Sequence, residues 1–172
     1  MRIIDGKWQG RSLVSPSGRV RPTAEAVRSS WMDALSEELP EASILDLFAG
    51  SGALGLEALS RGAGSCDFVE SSPSALHALK ANIAALHVHG AARMFKRDAL
   101  EFARGIDRRY DIAFADPPYR SRQLDRLVEI WLAAPFSQIL TVEHAADHTL
   151  AGRPRWRRFG ETMVSIFREE GA

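Results

Sequence analysis

The tetrapeptide Asp116-Pro117-Pro118-Tyr119 constrains a chemistry more tightly than any other stretch of this chain. It follows the apolar run Tyr110-Asp111-Ile112-Ala113-Phe114-Ala115, so it is expected at the carboxyl end of a buried strand. An exocyclic amine on a nucleobase is a poor nucleophile because its lone pair is delocalised into the ring. Asp116 and the main-chain carbonyl of Pro117 can accept the two N–H bonds of such an amine and turn its lone pair toward an electrophilic methyl group. The prolines lock that carbonyl in place. Tyr119 offers a flat face to an extracted base, and base–aromatic stacking is worth about 1 to 3 kcal/mol. Holding amine and methyl close to attack geometry supplies on the order of 7 kcal/mol or more. A strand closed by a rigid proline turn, with Tyr119 on the surface, is the plain structural alternative.

A second constellation precedes it. Asp46-Leu47-Phe48-Ala49-Gly50-Ser51-Gly52-Ala53-Leu54-Gly55 joins an apolar run to a helical pattern, and its glycines allow a tight turn with ligand space against the main chain. It contains Gly50-x-Gly52-x-x-Gly55, and Glu70 ends the next apolar run, where a carboxylate can take ribose hydroxyls. To that point a dinucleotide oxidoreductase reads the same. Asp46 separates the two readings, because a carboxylate there repels pyrophosphate and suits a zwitterionic amino-acid cofactor. In such a site Asp46 reaches the ammonium of S-adenosyl-L-methionine, Glu70 holds the ribose, and Asp98 meets the adenine amino group. Each also has a local alternative: Asp46 capping the turn, Glu70 an exposed strand end, and Asp98 capping the helix that follows.

The elements that must position these residues are legible from spacing. Runs at 44–48, 66–69, 92–96, 111–115 and 139–143 alternate with helical stretches near 53–62, 73–87, 98–105 and 121–133, which predicts a doubly wound, mostly parallel α/β sheet. Trp156–Phe159 and Met163–Phe167, linked by Gly160-Glu161-Thr162, predict an antiparallel C-terminal hairpin. Val27, Trp31, Leu35 and Leu39 recur every fourth residue, a helical core stripe after an N-cap at Thr23 and before Pro40. Residues 1–22 contain short β-type runs between glycines, a hairpin-like arm; residues 23–172 are expected to form one domain around one core. The pattern leaves the strand order open.

The formal charge of zero divides unevenly, with six basic and two acidic residues in 1–28. Attraction to phosphate is local on the scale of a Debye length of about 8 to 10 Å, so the arm is a candidate for holding a polyanion. One cysteine, Cys66, excludes an intramolecular disulfide framework and a multi-cysteine zinc site. The five histidines form no metal-ligand spacing, so no metal is expected. The absence of an apolar run near the roughly 20 residues needed to span a bilayer, and of a secretory start, points to a cytoplasmic protein without a membrane partner.

With these residues in hand, the chain resembles the bacterial 16S rRNA guanine-N2 methyltransferase family of the RsmD type over nearly its whole length. The matching parts are Met1-Arg2-Ile3-Ile4-x-Gly6-x-Trp8-x-Gly10-Arg11-x-Leu13, Arg21-Pro22-Thr23 with Val27-Arg28, Asp46 to Ala63, and Asp116 to Tyr119. The resemblance implies a Rossmann-like class I methyltransferase fold with a seven-stranded sheet, S-adenosylmethionine as cofactor, and a guanine N2 of 16S rRNA or the small ribosomal subunit as acceptor. The expected cofactor contacts are Asp46, Phe48, Ala49, Gly50, Ser51, Gly52, Glu70, Asp98, Ala99 and Thr23. The expected RNA contacts are Arg2, Lys7, Arg11, Arg19, Arg21 and Arg28. Ser29 and Ser72 depart from the family pattern, where Glu commonly follows Val-Arg and an acidic or amide residue often follows the ribose-binding Glu. No partner subunit is required, and a monomer is expected.

Two rival readings stay open. A DNA adenine-N6 or cytosine-N4 methyltransferase uses the same tetrapeptide, although the short arm and the lack of a long insertion favour RNA held partly by shape. A non-catalytic RNA-binding assembly factor retaining the fold is the other.

Overall fold

The computed structural model describes residues 1–16, 22–119 and 121–171, without the side chains of 22–24. Arg19, Arg21 and the side chain of Thr23 lie outside the described residues. The elements run α1 (Pro22–Asp33), β1 (Ser43–Leu47), α2 (Ala53–Ser60), β2 (Ser65–Glu70), α3 (Pro73–Leu86), β3 (Ala92–Lys96), α4 (Ala99–Arg104), β4 (Tyr110–Ala115), α5 (Gln123–Ala133), β5 (Ser137–Ala145), β6 (Arg155–Phe159) and β7 (Thr162–Arg168). They build one seven-stranded sheet in the order β3-β2-β1-β4-β5-β7-β6. β1 to β5 pair in parallel, while β7 runs antiparallel to both β5 and β6. The expected α/β fold is therefore present, with its C-terminal hairpin inserted so that β6 forms one edge. No helix among the described residues is long and apolar enough to cross a membrane.

Both faces of the parallel strands are covered, which is why their sequences are nearly continuous apolar runs. Ile44, Cys66, Phe68, Ile112 and Phe114 face one layer, with Val27, Trp31, Leu56, Leu79 and Ile83. Leu45, Leu47, Val69, Ala113 and Ala115 face the other, with Leu100, Leu127, Val128 and Trp131. Trp31 packs edge-on against Phe114 at 5.8 Å and its indole N–H donates to Thr141.

Two local expectations need correction. The first helix opens at Pro22, the N1 position that proline favours, so Thr23 lies inside it rather than capping it. It also stops at Asp33 instead of running to Pro40. Glu37 and Glu38 are poorly placed at a helix carboxyl end, and the chain continues in tight turns, with Leu35 N–H donating to Met32 O and Glu38 N–H to Leu35 O. Leu35 and Leu39 stay buried all the same.

The N-terminal arm folds back through an antiparallel bridge between Arg2 and Ser12. It is bound tightly to the rest of the molecule, with Ile3 and Leu13 entering the α1–α3 layer of the core. Glu57 of α2, fully buried, accepts the N–H groups of Ile4 (2.9 Å) and Asp5 (3.0 Å) and pairs with Arg61 (3.0 Å). Lys7 N–H donates to Ser60 O at 2.8 Å. Gly6 fits there because its φ is +85° and a Cβ would sit 2.0 Å from that same carbonyl.

Candidate active site

The strand order places β1 beside β4, so the chain departs to opposite sides at their carboxyl ends, where open α/β sheets bind ligands. A cleft of about 1030 Å³ opens there. Phe48, Glu70, Asp98, Ala99, Asp116, Pro117, Pro118 and Tyr119 all line it. Residues expected together from three separate stretches of sequence thus meet around one space. Asp46 and 49–52 do not belong to the lining; Asp46, Ala49, Ser51 and Gly52 are buried in the wall of the turn.

The turn is held from within. Asp46 Oδ2 accepts the Gly55 N–H at 3.0 Å. Burial pushes the Asp46 carboxyl well above the usual carboxylate range; the Gly55 N–H opposes that rise, and the negative charges of Asp116 and Glu70 add to it. Glu70 accepts Gly50 N–H through Oε2 and the N–H groups of Ser71 and Ser72 through Oε1, each at 2.8 Å. A carboxylate offers about four acceptor sites, so roughly one remains for a ligand hydroxyl. Gly52 has φ +84°, and a Cβ there would lie 2.4 Å from the Leu79 side chain, which explains why no larger residue stands at this bend. Asp98 caps α4 by accepting Glu101 N–H at 3.0 Å while its side chain stays exposed to the cleft.

Tyr119 is held at its tip. Its hydroxyl donates to Glu143 Oε1 at 2.8 Å, and since a phenol has one proton, the 3.0 Å contact with Thr162 Oγ1 has the threonine as donor. Burial, with the Glu143 and Asp116 charges added against the opposing Thr162 contact, pushes the Tyr119 phenol up to about 12. It is therefore neutral near pH 7, a ring held at its hydroxyl. Pro117, Pro118 and Tyr119 also line an adjoining pocket of about 800 Å³ with His144, His148 and Arg158. His144 donates through Nδ1 to Ala145 O and accepts at Nε2 from Ser165; burial lowers its pKa and keeps it neutral.

The RNA-contact expectations fare unevenly. Arg2, Lys7 and Arg11 are exposed, although Arg2 pairs with Glu25 (3.4 Å) and Arg11 donates to Ala85 O (2.9 Å). Arg28 is a correction, because it is only 4% exposed, donates to Arg2 O at 2.5 Å and lies 3.7 Å from Glu57. It fastens the arm from the interior. Burial lowers its pKa, opposed by the charges of Glu57 and Glu25.

Three residues went unnoticed in the sequence. Glu143 is a carboxylate at the end of its strand, like Asp46 and Glu70, and that repetition was available as a signal. Asn82 of α3 donates to Ser51 O (2.9 Å) and Val14 O (3.0 Å) and accepts Val14 N–H (2.7 Å), so it ties the arm to the glycine turn. Glu57 binds the opposite end of the arm.

A family profile described as "Conserved hypothetical protein 95" matches residues 1–167. The chain is 39% identical over 139 residues to "Ribosomal RNA small subunit methyltransferase D" of Escherichia coli, covering 77% of this chain and 70% of that one. Among solved structures, the Escherichia coli protein yhhF superposes with a TM-score of 0.87 at 31% identity, over 100% of this chain and 99% of that one. A Thermus thermophilus 16S rRNA N2 G1207 methyltransferase, solved with AdoMet and guanosine, shares the fold at TM-score 0.71 and 21% identity, over 90% of this chain and 44% of that one.

Proposed function

The chain belongs to the Conserved hypothetical protein 95 family, and on that premise we propose that it methylates the exocyclic N2 of a guanine in small-subunit rRNA with S-adenosylmethionine as donor. The observation that carries this reading is the convergence of Glu70, Asp98 and Asp116 on one cleft, with Asp46 in its wall, its carboxyl raised first by burial and further by the charges of Asp116 and Glu70. Such a cluster disfavours a polyphosphate and fits a cofactor with an ammonium and a sulfonium centre. That cofactor supplies an electrophilic methyl group.

The protein's part is positioning. Asp46 and the 49–52 turn receive the amino-acid end, the free acceptor of Glu70 takes a ribose hydroxyl, and Asp98, with Phe48 and Ala99 alongside, meets the adenine. Thr23 is assigned to the same cofactor set. Asp116 and the Pro117 carbonyl accept the N–H bonds of the target amine. Tyr119, fixed by Glu143 and Thr162, stacks on the base. The exposed arm cations Arg2, Lys7 and Arg11, with Arg19 and Arg21, add phosphate contacts from the 1–22 segment, and the protein acts as a monomer.

The test is to incubate the purified protein with labelled S-adenosylmethionine and undermethylated small subunits, naked rRNA or duplex DNA, then identify the product nucleoside by mass spectrometry. N2-methylguanine in RNA is expected. N6-methyladenine or N4-methylcytosine sinks the guanine assignment, and RNA binding without transfer favours the assembly-factor reading.

A further inference from the structure

The edge strand β6 carries a feature that the proposed chemistry does not use. Residues 151–160 contain four arginines and no acidic residue: Arg153, Arg155, Arg157 and Arg158, all exposed. Between them Trp156 is 60% exposed, the most exposed of the large hydrophobic side chains among the described residues. Elsewhere Arg61, Arg93, Arg108, Arg109 and Arg168 each meet a carboxylate, while exposed Arg97, Arg104, Arg122 and Arg126 are dispersed in and before α4 and α5 without an ion pair among the described residues. None of the four around Trp156 meets a carboxylate among the described residues; Arg157 contacts the Ser30 hydroxyl at 3.3 Å and Arg158 the Gly160 carbonyl at 2.8 Å.

Register fixes where they point. Arg155 and Arg157 oppose Ile166 and Val164, and so share the face of the α1 layer. Trp156 and Arg158 oppose Ser165 and Met163, on the face that holds His144. The strand leads directly to Phe159, Gly160, Glu161 and Thr162, which line the main cleft, and Arg158 lines the adjoining pocket beside Tyr119. From Phe159 back to Arg155 is about 13 Å of strand.

Protection of an exposed sheet edge accounts for charge on β6, since edge strands are commonly blunted in that way. It does not account for Trp156, which in the middle of such an edge is itself a liability, nor for the absence of any acidic residue. Trp156 and Arg158 on one face of the open edge, and Arg155 and Arg157 on the other, present an aromatic ring and guanidinium groups without carboxylate partners among the described residues. That matches what an unpaired polynucleotide presents, namely alternating bases and phosphates.

We infer that the open edge of β6 is a single-stranded RNA-binding rail, along which nucleotides flanking the target base stack on Trp156 beside Arg158, while Arg155 and Arg157 hold phosphates from the other face of the same edge. It rests on the proposed action on RNA and adds where the strand leaves the cleft.

The test is fluorescence anisotropy with a fluorescein-labelled single-stranded oligoribonucleotide across a salt series, alongside S-adenosylmethionine binding and melting temperature. Trp156→Ala should weaken binding about tenfold without changing the salt slope, because stacking releases no counterions. Arg155→Ala with Arg157→Ala should weaken it similarly and reduce the slope by roughly 1.4, and Lys at both positions should restore the slope. All variants should melt with the wild type and bind cofactor equally. Wild-type affinity and slope in both sets, with wild-type RNA binding and methyl transfer intact, overturns the rail alone. Failure of the wild type to bind RNA overturns the rail and the proposed function together. Equal losses on duplex DNA overturn the single-strand assignment.

Discussion

The N-terminal arm and strand β6 are both rich in cations, yet the fold puts the two to different uses. The basic groups of the arm and of α1 behind it are partly spent inside the molecule: Arg28 is buried against Glu57 and the Arg2 carbonyl, Arg2 reaches Glu25, Arg11 reaches Ala85 O, and Lys7 lies over the Trp8 ring at 5.3 Å. The arm also ends at Asn82, whose amide holds Ser51 of the glycine turn. In β6 the cations stand exposed without carboxylate partners among the described residues, next to the part of the cleft lined by Phe159 to Thr162. Charge along a sequence locates cations; only the fold decides which remain available to a ligand.

The comparison sharpens or breaks under substitution. The largest effect belongs to Glu57→Ala, which leaves Arg28 and two arm N–H groups without their carboxylate in the interior, while Arg61 keeps Asp33. Removing one partner of a buried pair costs roughly 3 to 5 kcal/mol, or a fall in melting temperature of about 12 °C for a chain of this size. Melting within about 1 °C of the wild type would show that the arm is not anchored there. Asn82→Ala follows, at about 2 kcal/mol for the buried groups it leaves unpaired. It should also weaken S-adenosylmethionine several-fold in calorimetry, because the turn loses its tie to the arm; unchanged affinity would break that link.

Asp46→Asn acts in the opposite direction on stability. Burial raises the Asp46 pKa in the folded state, so as pH climbs past the unfolded value of about 3.9 the unfolded chain ionises first and stability declines. The variant should therefore melt above the wild type at pH 7, with the gain vanishing below about pH 4, while cofactor affinity falls. A gain that persists in acid would point to packing instead. The smallest effect is expected of Arg2→Ala with Arg11→Ala: less than about 1 kcal/mol of stability and a smaller loss of RNA salt slope than in the β6 variants. A larger loss from the arm would reverse the comparison.

What could be read from the sequence followed from locality. Asp116 to Tyr119, Glu70 and Asp98 lie at element ends marked by their own neighbours, and knowing that they end successive strands was enough to expect one cleft. Asp98 acts as a cap as well as lining that cleft, so one of its two readings did not exclude the other. Glu57 could not be read in this way. Within its helix it has the pattern of a polar surface residue, and the N–H groups it binds lie 52 and 53 positions away. Arg28 misled for the same reason, since its partner is distant in sequence. The place of β6 depends on strand order: the hairpin was legible, but not that β7 enters between β5 and β6 and leaves Trp156 on the edge.

The proposed methyl transfer depends on Asp116 holding the target amine. The direct measurement is single-turnover methyl transfer to undermethylated small-subunit rRNA by the wild type and Asp116→Ala, with S-adenosylmethionine affinity determined for both. The expected result is a loss on the order of a thousandfold in transfer, about 4 kcal/mol at the transition state, with cofactor affinity essentially unchanged. Wild-type transfer by Asp116→Ala would contradict it.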